Sequence, residues 1–399
     1  MQTITRGFTR FWTASTVSDF GTQVTVVAMQ VLVLETLRGS ATDVGLLSAA
    51  RWVPYLLFGL VAGVLVDRFR RLPVLIGTDL GRGLVLGAVA LCAAVGSLSI
   101  PALIAFMALF GALSLVNDVA AQSFLPRLVA PGSLTSANAR LEQADAVARS
   151  TGPLVGGSLV GTLTAPFAIL VDAASYVCSA AVLATLKVTE PTERGVRRAV
   201  LSELREGLTW VYRHPMLAPM ALGSHVWMIF SSMFSAVYVA FALRDLGVGA
   251  FGVGVIYAAA GVGGVIGGSL ANRSAERFGV GRTVVAAKFC TPVGFGVVAL
   301  APAGPWALAL AAAGQFIVWV GICLESPNTM GYRQSVTPDR LQSRMNATIR
   351  SLNWGMVVIG GPLGGFLADS MGYRPALWIT VCGMAAVALV FSRTAFRYA

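Results

Sequence analysis

Carboxylates and guanidinium groups interrupt long aliphatic runs at Asp19, Asp79, Arg82, Asp118, Glu142, Asp145, Arg149, Glu325 and Arg350. A carboxylate among apolar side chains binds its proton more or less tightly as water and neighbouring charges come and go. The chemistry on offer is therefore proton uptake and release, or ion pairing. Asp19 lies about ten residues into its run, roughly 15 Å deep at 1.5 Å per helical residue, with Ser15, Ser18 and Gln23 around it. It is either a proton or substrate site or a polar group satisfied by neighbouring helices. Glu142, Asp145 and Arg149 share one helical face at i, i+3 and i+7; Asp145 and Arg149 can pair, which leaves Glu142 less compensated. That face is a proton relay or a brace at one end of the bundle. Glu325 and Arg350 are further candidates for proton or substrate contact. A stripe of Trp227, Phe230, Phe234, Tyr238 and Phe241 recurs at steps of three and four. It would pack or face lipid, or else it would line an apolar cavity suited to amphipathic molecules.

These groups need elements that hold them inside a bilayer. Of the 399 residues 56% are hydrophobic and only 12% charged, against about 25% charged in soluble domains. Twelve apolar runs are each long enough to cross a ~30 Å hydrocarbon core as a helix: 9–36, 43–66, 73–97, 101–126, 136–162, 166–187, 217–243, 250–271, 283–301, 305–327, 344–368 and 374–392. The period is helical, so the expected fold is an all-α membrane protein. A net charge of +11 would suit nucleic acid in a soluble chain. Here the arginines fall in alternate loops, at Arg68, Arg70 and Arg71, at Arg194 to Arg213, and at Arg273, Arg277 and Arg282, whereas the opposite loops hold Arg38, Arg244 and Arg374. The positive-inside rule then puts both termini in the cytoplasm and removes the nucleic-acid reading. Cys92, Cys178, Cys290, Cys323 and Cys382 lie inside spans with no C-x-x-C pair, so they read as small buried side chains.

The chain divides into an N-terminal six-helix bundle over 1–188, a linker over 189–216 and a C-terminal bundle over 217–399. The linker contains LSELREGLTWVYRHP, an amphipathic helix suited to the membrane surface. The halves repeat each other: VGLLSAA (44–50) matches VGVIYAA (253–259), GVLVDR (63–68) matches GSLANR (268–273), and GPLVGG (152–157) matches GPLGGF (361–366). Two pseudo-symmetric six-helix halves are a transporter architecture.

Several chemistries are excluded. Neither Lys187 nor Lys288 sits in a phosphate-binding G-x-x-x-x-G-K-[ST]. GVGAFG (247–252) lies between membrane spans and not after a strand, and the two histidines, His214 and His225, make no metal pattern. No enzyme activity, cofactor or metal is expected.

Over its whole length the sequence resembles the major facilitator superfamily. The loop signature G-x-x-x-D-R-x-G-R-[RK] reads here as Gly63, Asp67, Arg68, Arg70 and Arg71, with Arg70 in place of the second glycine. The resemblance implies a cytoplasmic gate in which Asp67 meets the end of the eleventh span and Arg68 and Arg71 reach carboxylates, with Asp79, Arg82 and Asp118 as gate partners. The run Gly152, Pro153, Gly156 and Gly157 is similar to a motif associated with antiporting exporters, although a G-x-x-x-G also packs helices closely. SFLPRLVAPGSLTSANARL and LREGLTWVYRHP resemble the drug, macrolide and siderophore exporter branch. The resemblance further implies an exporter of small amphipathic organic molecules by proton antiport and alternating access, with cavity aromatics at Trp227, Phe230 and Phe234. It would be a monomer in a bacterial inner membrane, using the proton gradient and no cofactor. The alternatives are a siderophore-specific exporter, a proton-coupled importer of a small metabolite, or a membrane binding or assembly protein that transports nothing.

Overall fold

The computed structural model describes residues 6–66, 69–130, 133–186, 188 and 200–394. Among them are thirteen α-helices and no strand. Twelve are long: α1 (Arg6–Val31), α2 (Ala41–Val66), α3 (Arg71–Ala94), α4 (Ile100–Leu128), α5 (Leu134–Thr162), α6 (Ala165–Ala184), α8 (Leu217–Ala240), α9 (Gly249–Phe278), α10 (Val280–Leu300), α11 (Ala307–Ser335), α12 (Asp339–Met371) and α13 (Tyr373–Ser392). The fourteen-residue α7 (Val200–Arg213) lies between the two sets. α1 and α8 each run on into a π-helical turn, Leu32–Thr36 and Phe241–Asp245.

Ten of these helices, among the described residues, are long and apolar enough to cross a membrane. α5 is more polar because its first five turns carry Arg140, Glu142, Asp145 and Arg149. Several helices outrun the apolar segments that announce them: α9 continues to Phe278 beyond residue 271, and α11 to Ser335 beyond 327. Hydropathy marks where lipid ends, but the hydrogen-bonded ladder continues into polar turns.

Local chemistry sets the ends. The Ser99 side chain accepts from Ala102 N with Pro101 in the first turn of α4, and Thr164 accepts from Phe167 N with Pro166 in the first turn of α6. Both are N-caps followed by a proline that needs no donor there. Gly279 (φ 87°) and Gly372 (φ 92°) each close one helix and open the next in a left-handed conformation. Arg70, by contrast, caps α3 in extended backbone (φ −67°, ψ 128°). An arginine can therefore occupy the signature's glycine position without strain.

The chain divides into two compact units, residues 1–37 with 50–200, and 38–49 with 201–399. In the first, α1 packs on α5 and α6, and α3 on α4 and α6. Small residues allow the closest approach: a Cβ on Gly156 of α5 would stand 2.9 Å from Val24 Cα of α1. In the second unit α11 packs on α9 and α10, and α12 and α13 on α8. The start of α2 joins this second unit. Asp369 near the end of α12 accepts from Ala41 N (3.1 Å), Thr42 N (2.9 Å) and Thr42 Oγ1, and so caps α2 from a distance of more than 300 residues in sequence.

α7 is part of the second unit and not a separate surface linker. Val211 is fully buried among Leu217, Ala221, Met345 and Ile349. Glu206 pairs with Arg340 (2.6 Å) and Arg344, and Trp210 Nε1 donates to Thr337 Oγ1 (3.3 Å). Val211, Trp210 and Tyr212 of α7 thus pack on the protein.

Candidate functional site

The first unit contains a polar cavity of about 260 Å³ bounded by α1, α3, α4, α5 and α6. Asp19, Asp79, Arg82, Asn117 and Asp118 all line it. Asp79 and Arg82 form a buried ion pair one turn apart on α3, 2% and 8% exposed. Asp79 also accepts from Ser179 Oγ (2.6 Å) and Asn117 Nδ2 (3.1 Å). Arg82 lays its guanidinium 4.3 Å above the Tyr176 ring. Breaking a buried pair leaves an uncompensated charge, so Asp79 and Arg82 depend on each other, although Arg82 Nε is buried without a hydrogen-bond partner among the described residues. Asp118 accepts from Tyr55 Oη (2.7 Å). Asp172, fully buried, accepts from Thr25 and Ser175.

Asp19 differs from these. It is half-buried on the same cavity, and among the described residues no donor forms a hydrogen bond or ion pair with its carboxylate. It lies within electrostatic reach of Asp145, Arg149, Asp118 and Arg82. The helix that carries it runs unbroken from Arg6 to Thr36, and Asp19 is two residues from the midpoint. Asp145 receives Arg149 Nε at 2.7 Å, partly exposed on α5. The Glu142 side chain, Asp67 and Arg68 lie outside the described residues, as does the side-chain space at Gly63. Arg71 is the first residue of α3. Gly152 and Gly156 face α1 at Gln23 and Val24, and Pro153 and Gly157 are buried beside them. The glycine-proline motif therefore packs α5 against the helix that carries Asp19.

The second unit has its own cavity, again about 260 Å³, bounded by α8, α10, α11, α12 and α13. Glu325 lines it and accepts a 2.6 Å ion pair from Lys288 Nζ, which also stands 4.7 Å over the Phe391 ring. Trp227 is on the wall. Phe230 is half-buried and Phe234 is core, stacked on Phe295 with centroids 3.5 Å apart. Arg350 sits exposed on α12. A chain of polar groups ties α7 to this cavity. Asn353 Oδ1 can only accept, so His225 Nδ1 donates to it (2.7 Å) and the neutral ring's Nε2 accepts from the Tyr212 hydroxyl (2.7 Å), while the Asn353 amide donates to Ser224 Oγ (2.8 Å).

Sequence reading missed Lys288, because no local pattern points to a partner 37 residues away. Its one signal was a lysine inside an apolar span. Asn117, Tyr55, Ser179 and Tyr176 were missed for the same reason: neutral polar residues in spans are common, and only the fold selects the ones that meet.

Residues 4–399 match the family model MFS_3, described as transmembrane secretion effector. The multidrug efflux pump Tap of Mycolicibacterium fortuitum is 27% identical over 372 residues, 90% of this chain and 88% of that protein. The MFS-type transporter YfiS of Bacillus subtilis (strain 168) is 24% identical over 226 residues, 53% of this chain and 51% of that one. Among solved structures, the nucleoside transporter NupG superposes with a TM-score of 0.80 at 9% identity, covering 97% of this chain and 98% of that one. A bacterial homologue of the iron transporter ferroportin in an inward-facing state gives 0.74 at 16%, covering 98% of both. These structural likenesses show the fold.

Proposed function

From the premise that the chain belongs to the MFS_3 family of transmembrane secretion effectors, and so is a multi-pass transporter of the major facilitator superfamily and not an enzyme, we propose that it exports small amphipathic organic molecules by proton antiport. The observation that carries the coupling is Asp19, a carboxylate without a direct partner near the middle of a membrane helix, on a cavity where Asp79 is paired with Arg82 and Asp118 is hydrogen-bonded to Tyr55. A charge at that depth is costly unless it is paired or reaches a watery cavity, which makes it a functional group by default. Asp19 would load a proton when the cavity communicates with the outside and release it when the cavity communicates with the cytoplasm. A carboxylate holds its proton more tightly where it is desolvated and less tightly where water and cations reach it. With Asp19 charged the empty carrier would not change access, so it crosses either with substrate bound or with Asp19 protonated, and substrate then moves opposite to the proton.

The direction of transport is supported by relatedness to Tap, named as a multidrug efflux pump, and by the glycine-proline run on α5. The arginine distribution supports a cytoplasmic location for both termini. The protein would work as a monomer in a bacterial cytoplasmic membrane, driven by the proton gradient without a cofactor. Everted vesicles test the proposal. With fluorescent amphipathic probes of both charges, ethidium and fluorescein among them, an imposed gradient should drive accumulation of at least one probe, and a protonophore should abolish it. Accumulation that survives collapse of the gradient would rule out antiport.

A further inference from the structure

The cavity of the second unit is not needed for the proton cycle, yet it carries a charge pattern of its own. Glu325, Thr329 and Arg333 stand one turn apart on a single face of α11 and line it together. Glu325 is engaged by Lys288. Arg333 Nε and Thr329 Oγ1 are both buried and, among the described residues, hydrogen-bonded to no protein group. Buried donors are nearly always satisfied, because leaving them without an acceptor destabilises the fold. Lys288 and Arg333 against Glu325 leave one positive charge in excess. Beside the polar Ser224, Ser326 and Asn353, the wall has a soft apolar part, Trp227, Met220, Met228 and Met330, and methionine adapts to varied shapes.

We propose that this cavity is an anion subsite, which takes the carboxylate of an amphipathic organic acid. Rotation of the Arg333 and Thr329 side chains, whose Nε and Oγ1 are enclosed in the wall, brings both to the carboxylate; Lys288 adds its charge from the facing helix, and the apolar body lies against Trp227 and the methionines. A cationic ligand fits poorly, because it would have to displace Lys288 from Glu325 while facing Arg333. The inference rests on the transport reading in one respect: the acid is taken as cargo. Binding at this cavity stands or falls independently of Asp19.

The test is equilibrium binding to the full-length protein in phosphatidylcholine nanodiscs, with tritiated 1-naphthylacetate as probe and 1-naphthylethylammonium as its cationic counterpart. The acid should bind saturably and the ammonium should not compete. Arg333→Gln should weaken binding at least tenfold and Arg333→Lys less. Thr329→Val, which keeps the side-chain shape, should weaken binding severalfold while leaving the melting temperature in place. Asp19→Asn should bind the acid like the parent protein, so a failure of the proton mechanism and a failure of this subsite give different results. Absence of saturable binding, equal competition by the ammonium, or unchanged affinity in both the Arg333→Gln and Thr329→Val proteins would overturn the proposal. Loss of binding when phosphatidylglycerol enters the discs would give the site to a lipid headgroup and overturn its assignment to cargo.

Discussion

Replacing Asp19 by asparagine should uncouple transport and leave the fold intact. Among the described residues the carboxylate has no direct partner to lose, so the near-isosteric amide removes charge and little else. The expected change in stability is therefore small, within roughly 0.5 kcal/mol, as for substitutions away from a network. The effect on transport is large and can be worked out from one exchangeable carboxylate. One proton per cycle across one pH unit supplies about 1.36 kcal/mol, a tenfold concentration ratio. A gradient of two units, with the membrane potential held at zero, then sets a ceiling of about a hundredfold. The assay is accumulation in everted vesicles of the probe that the parent protein concentrates best, followed by exchange of labelled for unlabelled probe with no gradient. For Asp19→Asn, accumulation should fall to the ratio of one that equilibration gives, while exchange continues. Accumulation by the variant near the parent's level would refute the role of Asp19. Loss of exchange together with accumulation would show a defect in binding or folding, not in coupling.

Three other perturbations separate structural charge from functional charge. Asp79→Asn, which takes the anion from a buried carboxylate held by Arg82, Ser179 and Asn117, should lower stability by about 3 to 5 kcal/mol, read as a lower melting temperature in detergent. Lys288→Met or Glu325→Gln alone should destabilise the second unit on the same scale, and the paired replacement Lys288→Met with Glu325→Met should recover most of the loss, read by melting temperatures in a double-mutant cycle. Asp369→Asn weakens the cap at the start of α2 by about 1 kcal/mol, and amide hydrogen exchange at Ala41 and Thr42 should speed up roughly fivefold.

The all-helical membrane fold and the run of long helices were legible in the sequence because they depend on a local signal, helical hydropathy over 20 or more residues. What each charge does was not legible, because partners come from other helices. Asp79 finds partners in Arg82, Ser179 and Asn117, two of them on other helices that no local pattern announces. Glu325 had no evident counterpart until Lys288 of α10 came opposite it. Periodicity put Trp227 and Phe234 in one stripe, yet they are seven residues apart on a helix packed on more than one side. Trp227 meets a cavity, and Phe234 meets Phe295 in the core. Arg70 was a departure from a glycine motif on paper; its extended backbone shows that this turn needs no left-handed residue.

Proton movement itself tests the coupling most directly. In proteoliposomes loaded with a pH-sensitive dye and no imposed gradient, adding transported probe on one side should drive protons the opposite way. The initial pH change should rise with probe concentration, and it should vanish for Asp19→Asn although probe exchange persists. Probe movement by the parent protein with no proton movement, or proton movement undiminished in Asp19→Asn, would contradict antiport through this carboxylate.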